Sequence, residues 1–283
     1  KPYGDVWFKL REMEYKVHPY RWQTIGKELS DIENATLTDV QNFFAKHYNP
    51  SNAILAVGGA IKTAEVMPLI EKWFGDIAPG KKYNRAIPDE PKQNEERRME
   101  VKAGVPLDAL YKVWHMDNRM NHGYYVADLI TEVMGGGASS RLFQSLVKEQ
   151  KLFSNIECYH FGSVEKGLLT IEGKLVKGVK MEDAEKAVNL ELDKLKQDGI
   201  TEKELEKTQN RTESTLAFED MSVMTRVNNL AFYELLGDAG LFNEDREKYF
   251  AVTREDMLNY SREIFDKNNS NTLCYYADNG AMN

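Results

Sequence analysis

The sequence is poor in the residues that build covalent or metal frameworks. It has two cysteines, Cys158 and Cys274, in 283 residues, too few for a disulfide framework or a thiolate-rich zinc site. Its five histidines, His18, His47, His115, His122 and His160, include no pair one helical turn apart. Neither HExxH nor HxxEH occurs, so this chain offers no catalytic residue and no metal ligand of the zinc-peptidase kind. Long apolar runs are also lacking: Ala53–Ile61 is the longest, far below the roughly 20 residues of a membrane span. Positive charge is in deficit. With 37 Lys and Arg against 45 Asp and Glu the formal net charge is −8, which argues against nucleic acid or an anionic membrane surface as partner. What is there suffices for a packed core, with 42% hydrophobic and 11% aromatic residues. The length suggests about two domains. The chain opens at Lys1 without an initiator Met or a basic-then-apolar leader, so a processed protein or a piece of a longer one is expected.

Three of the eight prolines, Pro79, Pro88 and Pro91, fall in a polar stretch without apolar periodicity, and residues 78–95 read as an interdomain linker. Before it, helices are predicted near Gly4–Tyr15, over Leu37–Tyr48 and over Thr63–Phe74, with a buried strand at Ala53–Gly59. After it come strands near Arg97–Ala103 and Ala109–Asp117, then helices at His122–Met134 and Ser139–Glu149. Strands at Phe153–Phe161 and Gly167–Lys174 precede helices at Met181–Gln197, Glu202–Leu216 and Ser222–Leu236. A helix at Arg254–Phe265 and a strand at Thr272–Tyr276 close the series. This mixture indicates an α+β fold with a sheet covered by helices on one side. Val188, Leu192 and Leu195 form one apolar face, with a Gly199 stop and a Thr201 cap between two amphipathic helices. Met221, Met224, Leu230 and Phe232 read as core.

The two ends of the sequence match each other. Thr36, Asp39, Val40, Asn42, Phe43, Tyr48 and Asn49 align with Thr253, Asp256, Met257, Asn259, Tyr260, Phe265 and Asp266 at a constant offset of 217. After a two-residue insertion, Ser51-Asn52-Ala53 meets Ser270-Asn271-Thr272, and each copy enters an apolar strand. The shared Ser-Asn tips the balance towards duplication. If the second copy begins near Glu96, the first should begin about 120 residues before Lys1, so the first copy is expected to be truncated. The domains read as 1–77, the C-terminal part of a first domain, 78–95, the linker, and 96–283, a nearly complete second domain.

One glycine-rich loop stands out, from Gly135, Gly136 and Gly137 through Ser139 to Arg141. It lies between two helices and lacks the GxxxxGK[ST] spacing that cradles phosphate. It also lacks the closing glycine of a GxSxG elbow. The glycines are expected to end one helix and let Ser139 cap the next, while the loop lines a cleft.

Three segments, HPYRWQTIG (His18–Gly26), LTDVQNFFAKHYNPSNAILAVGG (Leu37–Gly59) and MGGGASSRLFQSLVKEQKL (Met134–Leu152), together resemble the insulinase/pitrilysin-type zinc peptidases, the inverzincins of peptidase family M16. The resemblance is to their two-domain bacterial members, similar to mitochondrial processing peptidase. It implies two homologous sheet-plus-helices domains facing each other across a cleft, the first one truncated here. In active members zinc is held by the histidines of HxxEH and a glutamate further on, while the motif's own glutamate activates water. Those residues precede the part that Lys1 onward resembles. Zinc is therefore expected in the full-length protein or its partner, with no cofactor in this fragment. The peptide substrate of the intact enzyme lies as an added strand on a sheet edge. Active members also carry an Arg and a Tyr in an LRxxxGLxY segment of the second domain. The matching positions here are Val147 and Ser154, which implies a homologous second subunit that supplies the missing donors. The implied location is soluble, in the bacterial cytoplasm or periplasm. Another reading of the same fold is a non-catalytic structural or assembly subunit, and an unrelated α+β binding module is a more distant one.

Overall fold

The computed structural model describes residues 1–278. In chain order its elements are α1 (Val6–Glu14), α2 (Leu29–Glu33), α3 (Leu37–His47), α4 (Thr63–Phe74), β1 (Arg97–Ala103), β2 (Ala109–Met116), α5 (His122–Gly135), a π-helix (Phe143–Glu149), β3 (Phe153–Phe161), β4 (Gly167–Leu175), α6 (Met181–Asp198), α7 (Glu202–Glu219), α8 (Val223–Leu236), α9 (Asp245–Phe250), α10 (Arg254–Ile264) and β5 (Ser270–Ala277). Their packing defines two units. One contains Lys1–Gln23, Pro88–Thr212 and the chain from Glu247 onward; the other contains Thr24–Ile87 and Glu213–Arg246.

The first unit is built on a five-stranded sheet of order β1-β5-β2-β4-β3. β1 runs parallel to β5, and the other neighbours are antiparallel. Central β2, ALYKVWHM, is buried along nearly its whole length. Ala109, Tyr111 and Val113 of β2, with Leu273 and Tyr275 of β5, meet Val6, Leu10 and Met13 of α1, whose spacing puts them on one helical stripe. On the opposite face Trp114 stands edge-on to Phe265 at 5.0 Å. There the Lys112 ammonium donates to Glu185 Oε1 of α6 at 3.1 Å and to Thr272 at 3.0 Å. Helices thus cover both faces, rather than the one side expected. β2, β4 and β5 carry apolar side chains at both parities, and such a sheet must be covered twice. Val188, Leu192 and Leu195 are buried. Gly199 closes α6 with φ 68°, and Thr201 and Glu204 cap each other at the start of α7.

The repeat is visible in hydrogen bonds. Thr36 and Asp39 form a capping box at the start of α3, and Thr253 and Asp256 form the same box at α10. Each helix then leads into a one-turn 3-10 segment, Pro50–Asn52 and Lys267–Asn269, opened by an Asn49 or Asp266 side chain that accepts from the N–H two residues on. The offset of 217 therefore persists through the turn, and Ala53 corresponds to Ser270; the two-residue insertion inferred from the shared Ser-Asn does not exist. The same offset carries Val6, Leu10 and Met13 of α1 onto Val223, Val227 and Leu230 of α8. Each unit thus takes in one of this equivalent pair of helices, α1 in the first and α8 in the second.

The second unit differs from the first in what its apolar residues touch. Ala53–Gly59, expected as a buried strand, forms no ladder among the described residues. Leu55 and Val57 are about half exposed. Its counterpart β5 is a strand because β1 and β2 flank it, and an extended segment without such neighbours cannot satisfy its backbone as sheet. Phe43, Phe44 and Trp73 are exposed, as are Met221, Met224, Leu230 and Phe232. These last four were expected in a core; Met221 instead lies in the turn before α8, and Met224, Leu230 and Phe232 of α8 are exposed because no sheet strand belongs to this unit. Gly58 lets α8 approach closely, since a Cβ there would lie 2.4 Å from Val227.

Candidate functional site

The glycine loop follows α5 and is tied down from α7. Gly137 turns the chain with φ 91°, and the Arg211 guanidinium donates to the Gly136 carbonyl at 2.6 Å and pairs with Glu132 at 2.9 Å. Gly135 has no room for a side chain, because a Cβ would stand 2.1 Å from the Cys158 nitrogen of β3. Ser139 does not cap a helix; its hydroxyl accepts from Lys207. Arg141 presents a two-pronged fork to Glu204, Nε to Oε1 at 2.7 Å and Nη2 to Oε2 at 2.8 Å, and also reaches the Gly199 carbonyl at 2.9 Å. That fork, with Thr201, holds the Glu204 carboxyl down to about 2. The five loop residues are thus brought together as a strut between α5 and the α6–α7 corner, with the Arg141 donors engaged inside the protein.

Beyond the strut the chain winds into the π-helix. Val147 is half-buried beside fully buried Leu146, and Ser154 lies exposed at the start of β3, donating its hydroxyl hydrogen to the Lys174 carbonyl at 3.0 Å. Lys151 adopts φ 55°, the left-handed conformation that glycine takes at no cost, at the position where the LRxxxGLxY pattern has its glycine. Lys151 thus makes a turn that glycine would make freely, and neither Val147 nor Ser154 carries a guanidinium or a phenol.

A second polar cluster had no signal in the sequence. Glu14, at the end of α1, is fully buried. Its Oε2 accepts from Asn271 at 2.9 Å and lies 3.6 Å from His115 Nε2. The Glu90 carboxylate accepts three successive backbone N–H groups, from Lys16, Val17 and His18, at 2.8, 2.9 and 2.9 Å. Such a nest suits an anion and keeps the Glu90 carboxyl below its ordinary range even as burial opposes it. Burial raises the Glu14 carboxyl well above its usual range and pushes the His115 imidazole down to about 4. Glu90, Gln93, His115, Lys166, Tyr260 and Asn269 line a cleft of about 530 Å³ beside this corner. These partners are 72 to 257 residues apart, so no local spacing could reveal them.

Zinc does not fit the residues present. Among the described residues no three His, Cys, Asp or Glu side chains come together in a way that could hold a metal ion. His115 has the Glu14 carboxyl near it, at 3.6 Å, His122 is half-exposed near Asp256, and both cysteines are buried thiols. Burial pushes each thiol up, which disfavours the thiolate a metal needs.

A family model described as the peptidase M16 inactive domain matches residues 34–212. The chain belongs to that family. Relatives of this M16 chain include the zinc protease PqqE of Helicobacter pylori, 26% identical over 277 residues, covering 96% of this chain and 62% of that protein. The uncharacterized zinc protease YmxG of Bacillus subtilis is 25% identical over 90% of this chain and 61% of its own length. The chain thus spans about three fifths of the length of these curated relatives. The crystal structure of a protease from Helicobacter pylori shares the fold with a TM-score of 0.88 and 24% identity, over 98% of this chain and 67% of that one. In this M16 chain no helix among the described residues is long and apolar enough to cross a membrane.

Proposed function

We propose that this chain is the cleft-forming, non-catalytic half of a zinc-dependent endopeptidase subunit, and that the zinc-binding catalyst is carried by residues outside it or by a partner. The observation that carries this reading is the unequal completion of the two copies. Ser270–Ala277 lies between a parallel and an antiparallel neighbour, whereas its counterpart from Ala53 has neither among the described residues. In this reading residues 1–77 are, by sequence, the tail of a first domain whose remaining strands pair with Ala53–Gly59. Residues 78–95 link it to the second domain, 96–283. Those absent strands are where an HxxEH helix would belong.

Val147 and Ser154 favour a division of labour in which a homologous second subunit supplies the Arg and Tyr donors to a bound peptide. The same two positions also favour the other reading, a structural or assembly subunit of this fold. Peptide hydrolysis and metal content test the proposal together. The chain alone should cleave no quenched fluorogenic peptide and retain no equimolar zinc after gel filtration. A longer product of the same gene should contain HxxEH with a downstream glutamate and hydrolyse peptide in a chelator-sensitive way, alone or with its partner. Hydrolysis by this chain alone would overturn the proposal. Substitution of either motif histidine in the longer product would turn it to the structural reading.

A further inference from the structure

We propose that the segment Lys1–Gln23, an arm laid against the sheet, is seated by a proton-linked latch: it docks with a proton on Glu14, and undocking returns that proton to solvent. The geometry places Glu14 among the fully buried residues of the arm and makes it the one carboxylate there that is wholly enclosed, between β2 and β5. Its carboxyl meets one hydrogen-bond donor, Asn271, while its Oε1, His115 Nε2 and Asn271 Oδ1 have no hydrogen-bond partner in the protein. Burial outweighs the charges of Arg97 and Lys16, which draw the carboxyl the other way. Arg97 of β1 spends its Nη1 on the carbonyls of Met13 and Glu14, at 2.7 and 2.9 Å. The Lys16 ammonium turns back to the Glu12 carbonyl at 3.2 Å. Lys166, before β4, is near His115 and has its carbonyl bonded by Tyr15. The corner already holds one anion, Glu90, in its nest of arm N–H groups, with His18 and Tyr20 closing the turn. Two carboxyls so placed separate into one charged and one neutral, and the better-solvated role falls to Glu90.

The sign of the pH dependence follows. A freed Glu14 ionises above about 4.5 and the docked one only far higher, so in between the docked arm carries one extra proton and docking weakens as pH rises. A freed His115 takes up a proton below about 6.5 and the docked one only near 4, so in that window docking weakens as pH falls. Between about 4.5 and 6.5 these two oppose each other, and above 6.5 the Glu14 proton is the one of the pair still linked to docking, weakening it up to tenfold per pH unit while the docked carboxyl stays protonated. Below about 4.5 the loss of the Glu90 carboxylate loosens the arm as well.

Hydrogen exchange of the α1 amides from pH 5.5 to 8.5, corrected for intrinsic rates, tests the latch. Fluorescence of Trp7, which stands edge-on to Phe161 at 4.7 Å, supplies a second readout. The α1 opening constant should be flat to about pH 6.5 and then rise by up to tenfold per unit, while the β2 amides stay protected. Glu14→Gln, which keeps a neutral donor, should abolish the alkaline rise. A flat profile to pH 8.5, or a rise that survives in Glu14→Gln, overturns the proposal. If that variant does not fold, the ¹³C shift of the wild-type Glu14 carboxyl at pH 7 decides: a protonated carboxyl supports the latch and an ionised one refutes it.

Discussion

Replacing Arg141 by alanine isolates the strut on which the glycine loop rests. The wild-type guanidinium makes two parallel bonds to Glu204 and one to the Gly199 carbonyl. The Glu204 carboxyl falls from 4.5 to about 2, with the Arg141 hydrogen bond as its first cause. At about 1.4 kcal/mol per pH unit that depression corresponds to roughly 3 kcal/mol. The carboxylate remains about a quarter exposed, and solvent screening reduces the net figure to about 1–2 kcal/mol. Because the folded value is the lower one, this stability is present above the unfolded 4.5 and disappears as pH falls through about 2. Urea unfolding of wild type, Arg141→Ala, Glu204→Gln and the double variant, each at pH 7 and pH 2.5, measures it. A coupling of about 1–2 kcal/mol is expected at pH 7 and less than half of it at pH 2.5. Arg141→Lys should recover little, since a lysine cannot form the fork. Equal coupling at both pH values, or full recovery by lysine, would refute the electrostatic account of the strut.

Further outcomes follow from the packing. Leu10→Ala opens a hole between α1 and the sheet at a fully buried position, and chemical denaturation should report a loss of about 3 kcal/mol; a loss below 1 kcal/mol would mean that α1 is not part of the core. Gly135→Ala drives a methyl into the backbone of Cys158, where no rotamer can relieve it, so a cost of about 2 kcal/mol or more is expected in the same assay. Were that variant as stable as wild type, the close approach of α5 to β3 would be wrong. The zinc and hydrolysis measurements on the chain and its longer product, and the exchange profile of the arm, complete the set.

The periodic elements were legible in the sequence because their causes are local. α3 and α10 begin at Thr-x-x-Asp boxes that close within four residues, and α6 ends where Gly199 supplies the left-handed turn. The duplication was legible for the same reason, although residue identity misplaced two positions that the Asn49 and Asp266 turns put right. Burial was not legible in the second unit. Ala53–Gly59 has the composition of a buried strand, but burial belongs to a pair of surfaces, and among the described residues this one is left partly uncovered. The candidate loop was found by its glycines, whereas its role as a strut depends on Glu204 and Arg211, some 60 to 75 residues away.

By itself, the sequence determined the α+β class, the helix caps, the repeat and the lack of any HxxEH motif, all of which rest on neighbours in the chain or on composition. Only the tertiary structure decided that α1 closes the second face of the sheet, that Arg141 is a brace, and that Glu14, Glu90 and His115 meet in one buried corner. The reason is dielectric as much as geometric. A carboxyl's charge depends on how much water and how many opposite charges surround it, and for Glu14 both are set by side chains on β1, β2 and β5 that lie far away in the chain.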